Sequence, residues 1–256
     1  MIFLGKIVAV TNQKGGVGKT TTSVNLCACL AELGKKVLMV DLDPQGNASS
    51  GFGIDKAEVP KTVYDVLVAG YPADKTIVAS EFGVDVIPAS IDLAGAEVEL
   101  VPTISREMKL KRALDPLRPA YDYIYIDCPP TLGLLTLNAL TAADAILLPI
   151  QCEFYALEGV SQLIKTIEMV QVNLNPSLVI EGVLLTMYDS RVKLAVQVAE
   201  EVRKNFGGAA YWTMIPRNVR LSEAPSYGQP ITVYDRKSKG AASYRELALE
   251  VISRDS

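Results

Sequence analysis

The stretch that decides the fold is Lys14-Gly15-Gly16-Val17-Gly18-Lys19-Thr20-Thr21. It follows the apolar run Ile7–Val10 and precedes a helix-like segment from Thr22 to Leu33, so the order is strand, glycine loop, helix. Because glycine has no Cβ, successive backbone N–H groups can turn toward one anion at the start of the helix. The stretch therefore predicts a loop that holds the phosphates of a nucleotide.

Side chains of the same stretch supply the rest of a phosphate site. We expect Lys19 to place its charge near the β- and γ-phosphates, Thr20 to offer a hydroxyl to a phosphate-bound Mg²⁺, and Thr21 to lie beside the α-phosphate. The backbone from Gly15 to Gly18 would bind phosphate oxygens. A glycine-rich loop can also be only a tight turn, but lysines at both ends, paired threonines and the strand-helix context favour the phosphate site.

A second candidate lies at the end of another apolar run. Asp127 closes Tyr123–Ile126 and is followed by Cys128-Pro129-Pro130. An apolar strand that ends in Asp is the Walker B arrangement, in which the carboxylate supports Mg²⁺ directly or through water. Asp at a strand end is often only a turn residue. The glycine loop upstream favours the metal role for Asp127.

Length and composition limit the class of protein. The chain has 256 residues, of which 49% are hydrophobic, and no spacer or low-complexity tract divides it, so we expect one domain over residues 1–256. Residue 1 runs directly into the first strand without a secretory signal, and no apolar stretch is long enough for a membrane span. These observations predict a cytoplasmic protein.

Metal chemistry based on cysteine and histidine is not indicated. The chain contains no histidine, and its four cysteines form no C-x-x-C pair. We expect reduced thiols in the core at Cys27, Cys29, Cys128 and Cys152.

Hydrophobic patterning predicts the fold class. Short apolar runs alternate with helical patterns, which indicates an α/β fold with a mostly parallel twisted sheet and helices on both faces. The predicted strands are Ile7–Val10, Lys36–Val40, Val84–Pro88, Tyr123–Asp127, Ala145–Ile150, Leu178–Thr186 and Ala210–Ile215. The predicted helices are Thr22–Leu33, Thr62–Ala69, Thr103–Leu117, Leu132–Ala143, Leu157–Val172, Val192–Asn205 and Ala241–Ser253.

The glycine loop departs from the ordinary P-loop pattern, because Gln13 stands where that pattern requires a glycine. The sequence K-G-G-V-G-K-T-T resembles the deviant Walker A motif of the ParA/Soj partitioning ATPases and the cell-division protein MinD, whose hallmark is the extra lysine, here Lys14. The resemblance to ParA/Soj spans nearly the whole chain. It also rests on Asp41–Asn47, Asp127–Pro130, Pro149–Gly159 and Ile215–Ser226.

The resemblance implies an ATP-dependent partitioning cycle. ParA/Soj proteins form an ATP-bound sandwich dimer that binds double-stranded DNA nonspecifically, and a ParB/Spo0J-type centromere-binding protein stimulates hydrolysis and release. The resemblance therefore implies ATP/ADP and Mg²⁺ as cofactors, a homodimer, and association with the nucleoid. Because no helix-turn-helix domain precedes the loop, the chain is similar to the short, chromosomal type.

Catalytic roles follow from the same resemblance. Asp43 would orient, or accept a proton from, the attacking water, and Asp41 would be a supporting carboxylate. With Lys19 already at the β- and γ-phosphates, Lys14 would add repulsion at its own nucleotide, so a partner's phosphate is the better target. In the family the matching lysine crosses the dimer interface. The resemblance therefore implies catalytic roles for Lys14, Lys19 and Asp43.

Contacts to adenine are also implied. We expect the base between the strand end at Thr186-Met187-Tyr188 and the segment Pro216-Arg217-Asn218, where backbone groups and the Asn218 side chain could contact its edge.

Charge distribution favours a basic face on an acidic protein. The net charge is −4, yet from Thr186 to the end there are eleven Lys and Arg against eight Asp and Glu. Contacts from such side chains to DNA phosphates are independent of sequence and sensitive to salt. Arg191 and Arg220 match positions implicated in DNA binding within the family, although exposed arginines are more often ordinary surface charges.

Other members of the superfamily provide alternative hypotheses. A MinD-like ATPase that cycles on membranes would need a basic amphipathic C-terminal helix, but Tyr244–Ile252 mixes acidic residues with basic ones. An iron–sulfur carrier would need a second cysteine soon after Cys128, and none follows within the next twenty residues. A nucleotide-gated binding module, with hydrolysis as a timer, overlaps with the main hypothesis.

Overall fold

The computed structural model describes residues 4–153 and 156–255, and their architecture is an eight-stranded sheet with helices on both faces. The strand order is β3-β4-β2-β5-β1-β6-β7-β8, and only β3 is antiparallel to its neighbour. The strands are β1 Lys6–Val10, β2 Val37–Asp41, β3 Val78–Ala79, β4 Val84–Ile87, β5 Tyr123–Asp127, β6 Ala145–Gln151, β7 Val179–Tyr188 and β8 Ala210–Pro216. The predicted fold class is confirmed.

Helices connect the strands and cover the sheet. They are α1 Lys19–Glu32, α2 Asn47–Gly51, α3 Val63–Ala69, α4 Leu93–Glu99, α5 Lys109–Leu114, α6 Leu134–Ala142, α7 Ala156–Asn173, α8 Lys193–Phe206, α9 Val219–Glu223, α10 Ile231–Tyr234 and α11 Lys239–Arg254. Short 3₁₀ turns link several of them.

Alternation along β1 shows why both faces of the sheet are covered. Ile7 and Ala9 belong to one buried apolar cluster, while Val8 and Val10 belong to the cluster on the opposite face. Successive side chains of a strand point to opposite faces, so a strand that is apolar at every position requires cover on both sides. The continuous apolar runs in the sequence therefore encode central parallel strands.

The sheet brings the predicted site residues to one edge. In the parallel register Val10 lies opposite Asp127, and Asp127 lies opposite Asp41 on its other side. The glycine loop leaves β1 at this same carboxyl edge, because parallel strands end together. Ligands of open α/β sheets bind at this edge.

Three features differ from the sequence-based expectations. The predicted helix Thr103–Leu117 is wrong as one element, because α5 lies between 3₁₀ turns and Pro116 and Pro119 fall in the second turn. Helices α2, α4, α9 and α10 and edge strand β3 were not predicted. The predicted strand Leu178–Thr186 continues to Tyr188.

Two further observations concern earlier expectations. Phe154 and Tyr155, within the segment Pro149–Gly159, lie outside the described residues. Within residues 4–153 and 156–255, no helix combines the length and the apolar character that crossing a bilayer requires.

Candidate functional site

The glycine loop has the backbone conformation that its sequence predicts. Gly16 and Gly18 have φ angles of 74° and 89°, in the left-handed region that other residues rarely adopt. A Cβ placed on Gly15 or Gly16 would meet no atom within 4 Å, so the loop faces open space. Gly18 is also the N-cap residue of α1. The loop therefore presents a free helix N-terminus with room for phosphate groups.

Lys19 lies at the start of α1 and is only 7% exposed. Its Nζ donates to the backbone carbonyl of Lys14 at 3.2 Å, which holds the side chain back across the loop. Burial lowers the pKa of Lys19, while the carboxylates of Asp127 and Asp43 act in the opposite direction. A buried ammonium with one carbonyl partner has capacity for anionic oxygens.

Thr20 and Asp127 meet as the metal hypothesis requires. The Thr20 hydroxyl donates to Asp127 Oδ2 at 2.8 Å, and the Ser23 hydroxyl lies 2.8 Å from Asp127 Oδ1. Burial, reinforced by the charge of Asp41, raises the pKa of Asp127 to about 7. A hydroxyl beside a carboxylate is an oxygen donor set that fits Mg²⁺. Ser23 was not predicted, although it is detectable in the sequence as a hydroxyl one helical turn after Thr20.

Asp41 organises the loop that carries Asp43. Its Oδ2 accepts bonds from the Ser49 backbone N–H and hydroxyl, both at 2.7 Å, and its Oδ1 accepts from the Asp43 N–H at 3.2 Å. Burial raises the pKa of Asp41 to about 6 even though these bonds oppose the shift. Asp43 is half-buried and accepts from the Gln45 N–H at 2.9 Å. Asp41 is therefore a support for the Asp43 loop.

Lys14 forms a contact that the sequence does not reveal. Its Nζ pairs with Glu153 Oε2 at 2.8 Å, and its backbone N–H donates to Asn12 Oδ1 at 3.0 Å. Both charged side chains are partly exposed, at 38% for Lys14 and 47% for Glu153. Because the two residues are far apart in sequence, no local pattern could have identified this ion pair.

The residues predicted for adenine line a cavity next to the glycine loop. Its volume is about 230 Å³, and its lining includes Gly18, Thr21, Met187, Pro216, Arg217 and Asn218. Met187 has a φ of 52°, a strained conformation for a residue with a side chain. The preceding Thr186 donates its hydroxyl to the Val17 carbonyl at 2.8 Å. The end of β7 thus shapes this cavity and also contacts the glycine loop.

Arg191 and Arg220 each pair with carboxylates of their own chain. Arg191 contacts Asp189 at 2.6 Å with its own side chain 88% exposed. Arg220 contacts Glu223 at 2.8 Å and Asp235 at 3.5 Å, and its side chain is 55% exposed. Arg191 holds Asp189 through two bonds, from Nε to Oδ1 and from Nη2 to Oδ2, and both arginines remain accessible from solvent.

The four cysteines are buried and unbridged, as expected. Cys128 follows the candidate metal residue Asp127, and burial raises the pKa of its thiol above the ordinary value. A neutral buried thiol packs as an apolar group.

Comparisons with known proteins cover nearly all of this chain. A family model described as an AAA domain matches residues 5–180. The chain is 64% identical to the sporulation initiation inhibitor protein Soj of Bacillus subtilis, across 97% of this chain and 98% of that protein. It is 54% identical to the chromosome partitioning protein ParA of Myxococcus xanthus, across 98% and 89%.

A solved structure also resembles the fold closely. Cobyrinic acid a,c-diamide synthase from Mycobacterium smegmatis, solved with a bound ATP analogue and magnesium, superimposes with a TM-score of 0.86. That protein is 41% identical, with coverage of 98% of this chain and 96% of the other.

Proposed function

This chain belongs to the Soj/ParA family of chromosome-partitioning ATPases, and we propose that it partitions DNA by an ATP-dependent cycle of dimerisation on DNA. It is an ATPase that hydrolyses ATP to ADP and phosphate and uses Mg²⁺. The observation that carries the proposal is the meeting of Lys19, Thr20 and Asp127 at one open glycine loop. We propose this loop as the triphosphate site.

The chain's own residues would divide the chemistry of hydrolysis. Lys19 and the N–H groups of Gly16, Val17 and Gly18 would bind the phosphates, and Thr20 with Asp127 would hold the metal. Mg²⁺, when bound, neutralises phosphate charge. Asp43 would orient the attacking water or accept its proton, from a loop fixed by Asp41. The base would occupy the cavity lined by Met187, Pro216, Arg217 and Asn218.

Lys14 would act on the nucleotide of a second copy. Its ion pair with Glu153 holds the ammonium within its own chain, so we propose that this pair opens when two copies close face to face. An exposed pair of this kind costs little to break. The released ammonium would then neutralise charge on the partner's phosphates, as an arginine finger does in other nucleotide hydrolases.

Replacement of the loop lysine tests this step. We expect Lys14→Gln to keep ATP affinity within about twofold and to abolish the ATP-dependent dimer in light scattering. Lys36→Gln is the matched control, because this exposed lysine lies just before β2, at the opposite edge of the sheet. If Lys14→Gln formed ATP-dependent dimers as tightly as the unmodified protein does, that result would contradict the proposed role of Lys14.

The dimer would bind DNA through exposed arginines. We propose Arg191 and Arg220 as phosphate contacts, because both side chains are exposed and positively charged. A ParB/Spo0J-type protein would stimulate hydrolysis and release the dimer from DNA. In a cell this cycle would concentrate the protein on the nucleoid.

A MinD-like membrane cycle receives no support from the last helix. Tyr244, Leu247, Ala248 and Val251 of α11 are buried in the core cluster that also contains residues of α1. An amphipathic membrane helix needs its apolar face available for lipid. In α11 that face is already used for packing.

One experiment separates partitioning from the other branches of the superfamily. The ATPase rate should rise by about tenfold or more when DNA and the cognate ParB-type protein are added together, and less with either alone. Anionic liposomes serve as the comparison condition. A rate that responds to liposomes and ignores DNA would replace the partitioning proposal with the membrane one.

A further inference from the structure

A groove of about 600 Å³ lies between edge strand β3 and the turn after α9. Its apolar lining includes Phe52, Ile54, Phe82 and Tyr227, and its volume is in the range of known binding pockets. Tyr227 is 66% exposed, which is high for an aromatic side chain. The groove therefore offers apolar surface that a partner could cover.

Acidic side chains surround this apolar floor. Asp55, Glu58 and Glu81 all line the groove and are exposed. In the part of the chain that the structure describes, none of the three forms an ion pair. Three unneutralised carboxylates around an apolar floor are complementary to a ligand that is both cationic and partly apolar.

The edge of the sheet adds backbone groups to the same groove. Val78 and Ala79 form β3, which pairs with β4 on one side and is last in the strand order of the described chain. An edge strand presents backbone N–H and C=O groups to an extended segment. Backbone complementarity favours a polypeptide over a small cation.

We propose that this groove docks a cationic polypeptide segment of a partner protein, with lysine or arginine side chains against the carboxylates and apolar side chains on the floor. Phe52 directly follows α2, whose first residue follows the Asp43 loop. Gln229 lines both this groove and a neighbouring cavity of about 370 Å³ that Thr20 and Thr21 also line. Docking in the groove would therefore change the shape of the nucleotide site and the rate of hydrolysis. This effect on hydrolysis rests on the proposed function, whereas the docking itself does not.

Close contact between two backbone segments connects the groove to the proposed nucleotide site. An added Cβ on Gly228 would lie 3.0 Å from the Gly53 Cα, and one on Gly53 would lie 3.1 Å from the Gly228 carbonyl oxygen. Both glycines have positive φ angles. The segment after α2 and the turn after α9 therefore touch without intervening side chains, so displacement of one moves the other.

Charge reversal in the groove tests docking without nucleotide. The probe is a short fluorescein-labelled peptide of alternating lysines and leucines, and the measurement is fluorescence anisotropy. The double variant E58K/E81K should weaken binding about tenfold or more. The control E168K/E246K makes the same charge change at exposed carboxylates outside the groove, and should change affinity by less than about threefold. Equal loss in both variants would overturn the proposal.

The apolar part of the groove has its own test. Tyr227→Ser should weaken binding of the lysine-leucine peptide and leave unchanged the weaker binding of a lysine-serine peptide of equal charge. Melting temperature and ADP binding of every variant establish that the fold is kept. Equal affinity of the two peptides for the unmodified protein would show attraction by charge alone and would overturn the docking site.

The same variants separate this inference from the proposed function. If a ParB-type protein stimulates the unmodified chain but not E58K/E81K, the groove is part of the partner's surface. Stimulation that survives in E58K/E81K would exclude the groove from this role while leaving partitioning intact. If the ParB-type protein stimulates neither the unmodified chain nor E58K/E81K while the peptide still binds, the partitioning proposal is wrong and the docking proposal is supported.

Discussion

At the scale of single residues, two buried carboxylates dominate the electrostatics of the site. Asp41 and Asp127 are fully buried and face each other across neighbouring strands. Burial raises their pKa values to about 6 and about 7. Because the chain has no histidine, these two acids are the natural candidates for titration between pH 5 and pH 8.

The direction of the pH effect on stability follows from the number of protons that the folded and unfolded states bind. In the unfolded chain both acids ionise near their ordinary value, whereas the folded protein without metal keeps protons up to about pH 6–7. The folded state then binds more protons, so its stability is greatest below the unfolded pKa and is lost as pH rises through the folded pKa values.

We therefore expect the metal-free, nucleotide-free protein to lose about 4 kcal/mol of unfolding free energy between about pH 5 and about pH 8. Urea unfolding at a series of pH values measures this loss. Asp127→Asn should flatten the profile, because a neutral amide removes the buried charge. Asp74→Asn, at an exposed carboxylate, should leave the profile unchanged. An Asp127→Asn profile as steep as that of the unmodified protein would contradict this account.

At the scale of elements, two helices share the same kind of start. The Asn218 side chain accepts from the Arg220 N–H at 2.8 Å at the start of α9, and the Ser238 hydroxyl accepts from the Ala241 N–H at 3.1 Å at the start of α11. Both are N-caps. Only Asn218 also lines the cavity proposed for adenine.

This difference separates stability from nucleotide binding. Asn218→Ala and Ser238→Ala should each cost about 1 kcal/mol of unfolding free energy. Only Asn218→Ala should raise the KM for ATP, because only that side chain is near the proposed base. Chemical denaturation and steady-state ATPase kinetics on both variants measure the two effects. An equal rise in KM for both variants would show that the change in affinity comes from lost stability.

Sequence information was sufficient where the signal is local. The glycine loop, its lysine and the Asp at the end of β5 were all predicted, because the backbone conformation of Gly16 and Gly18 and an apolar strand have direct sequence signatures. Helix α4 was missed. Its exposed face carries Val98, 74% exposed, while Leu93 on the other face is buried, so no apolar-polar period marks it.

The remaining features depend on contacts between distant parts of the chain. The pairing of Lys14 with Glu153 joins the glycine loop to the residue that follows β6, so it appears only after the strands are aligned. The positive φ of Met187 also has no residue signature, because methionine rarely adopts it. The catalytic, metal, base and DNA roles of the named residues stay predictions.

At the scale of the whole molecule, charge is distributed unevenly. The region from Thr186 onward carries a small basic excess on a chain whose net charge is −4. A basic region on an acidic protein can bind DNA only through a limited number of contacts, which makes binding sensitive to each of them.

Arg220→Ala should therefore weaken ATP-dependent DNA binding and lower the dependence of log affinity on log salt by about one unit. Hydrolysis without DNA should persist, because Arg220 lies outside the phosphate loop. Arg112→Ala, at an exposed arginine of α5, is the matched control. Filter binding at several salt concentrations measures both variants, and an unchanged slope for Arg220→Ala would exclude this residue from the DNA surface.

The hydroxyl bond from Thr186 to the Val17 carbonyl has a consequence for nucleotide selectivity. The end of β7 both bonds to the glycine loop and, through Met187, lines the cavity proposed for the base. A mutation that shifts this strand to admit guanine would also loosen the grip on the triphosphate. If the proposed base and triphosphate sites are correct, we expect that preference among bases and affinity for the triphosphate cannot be adjusted independently.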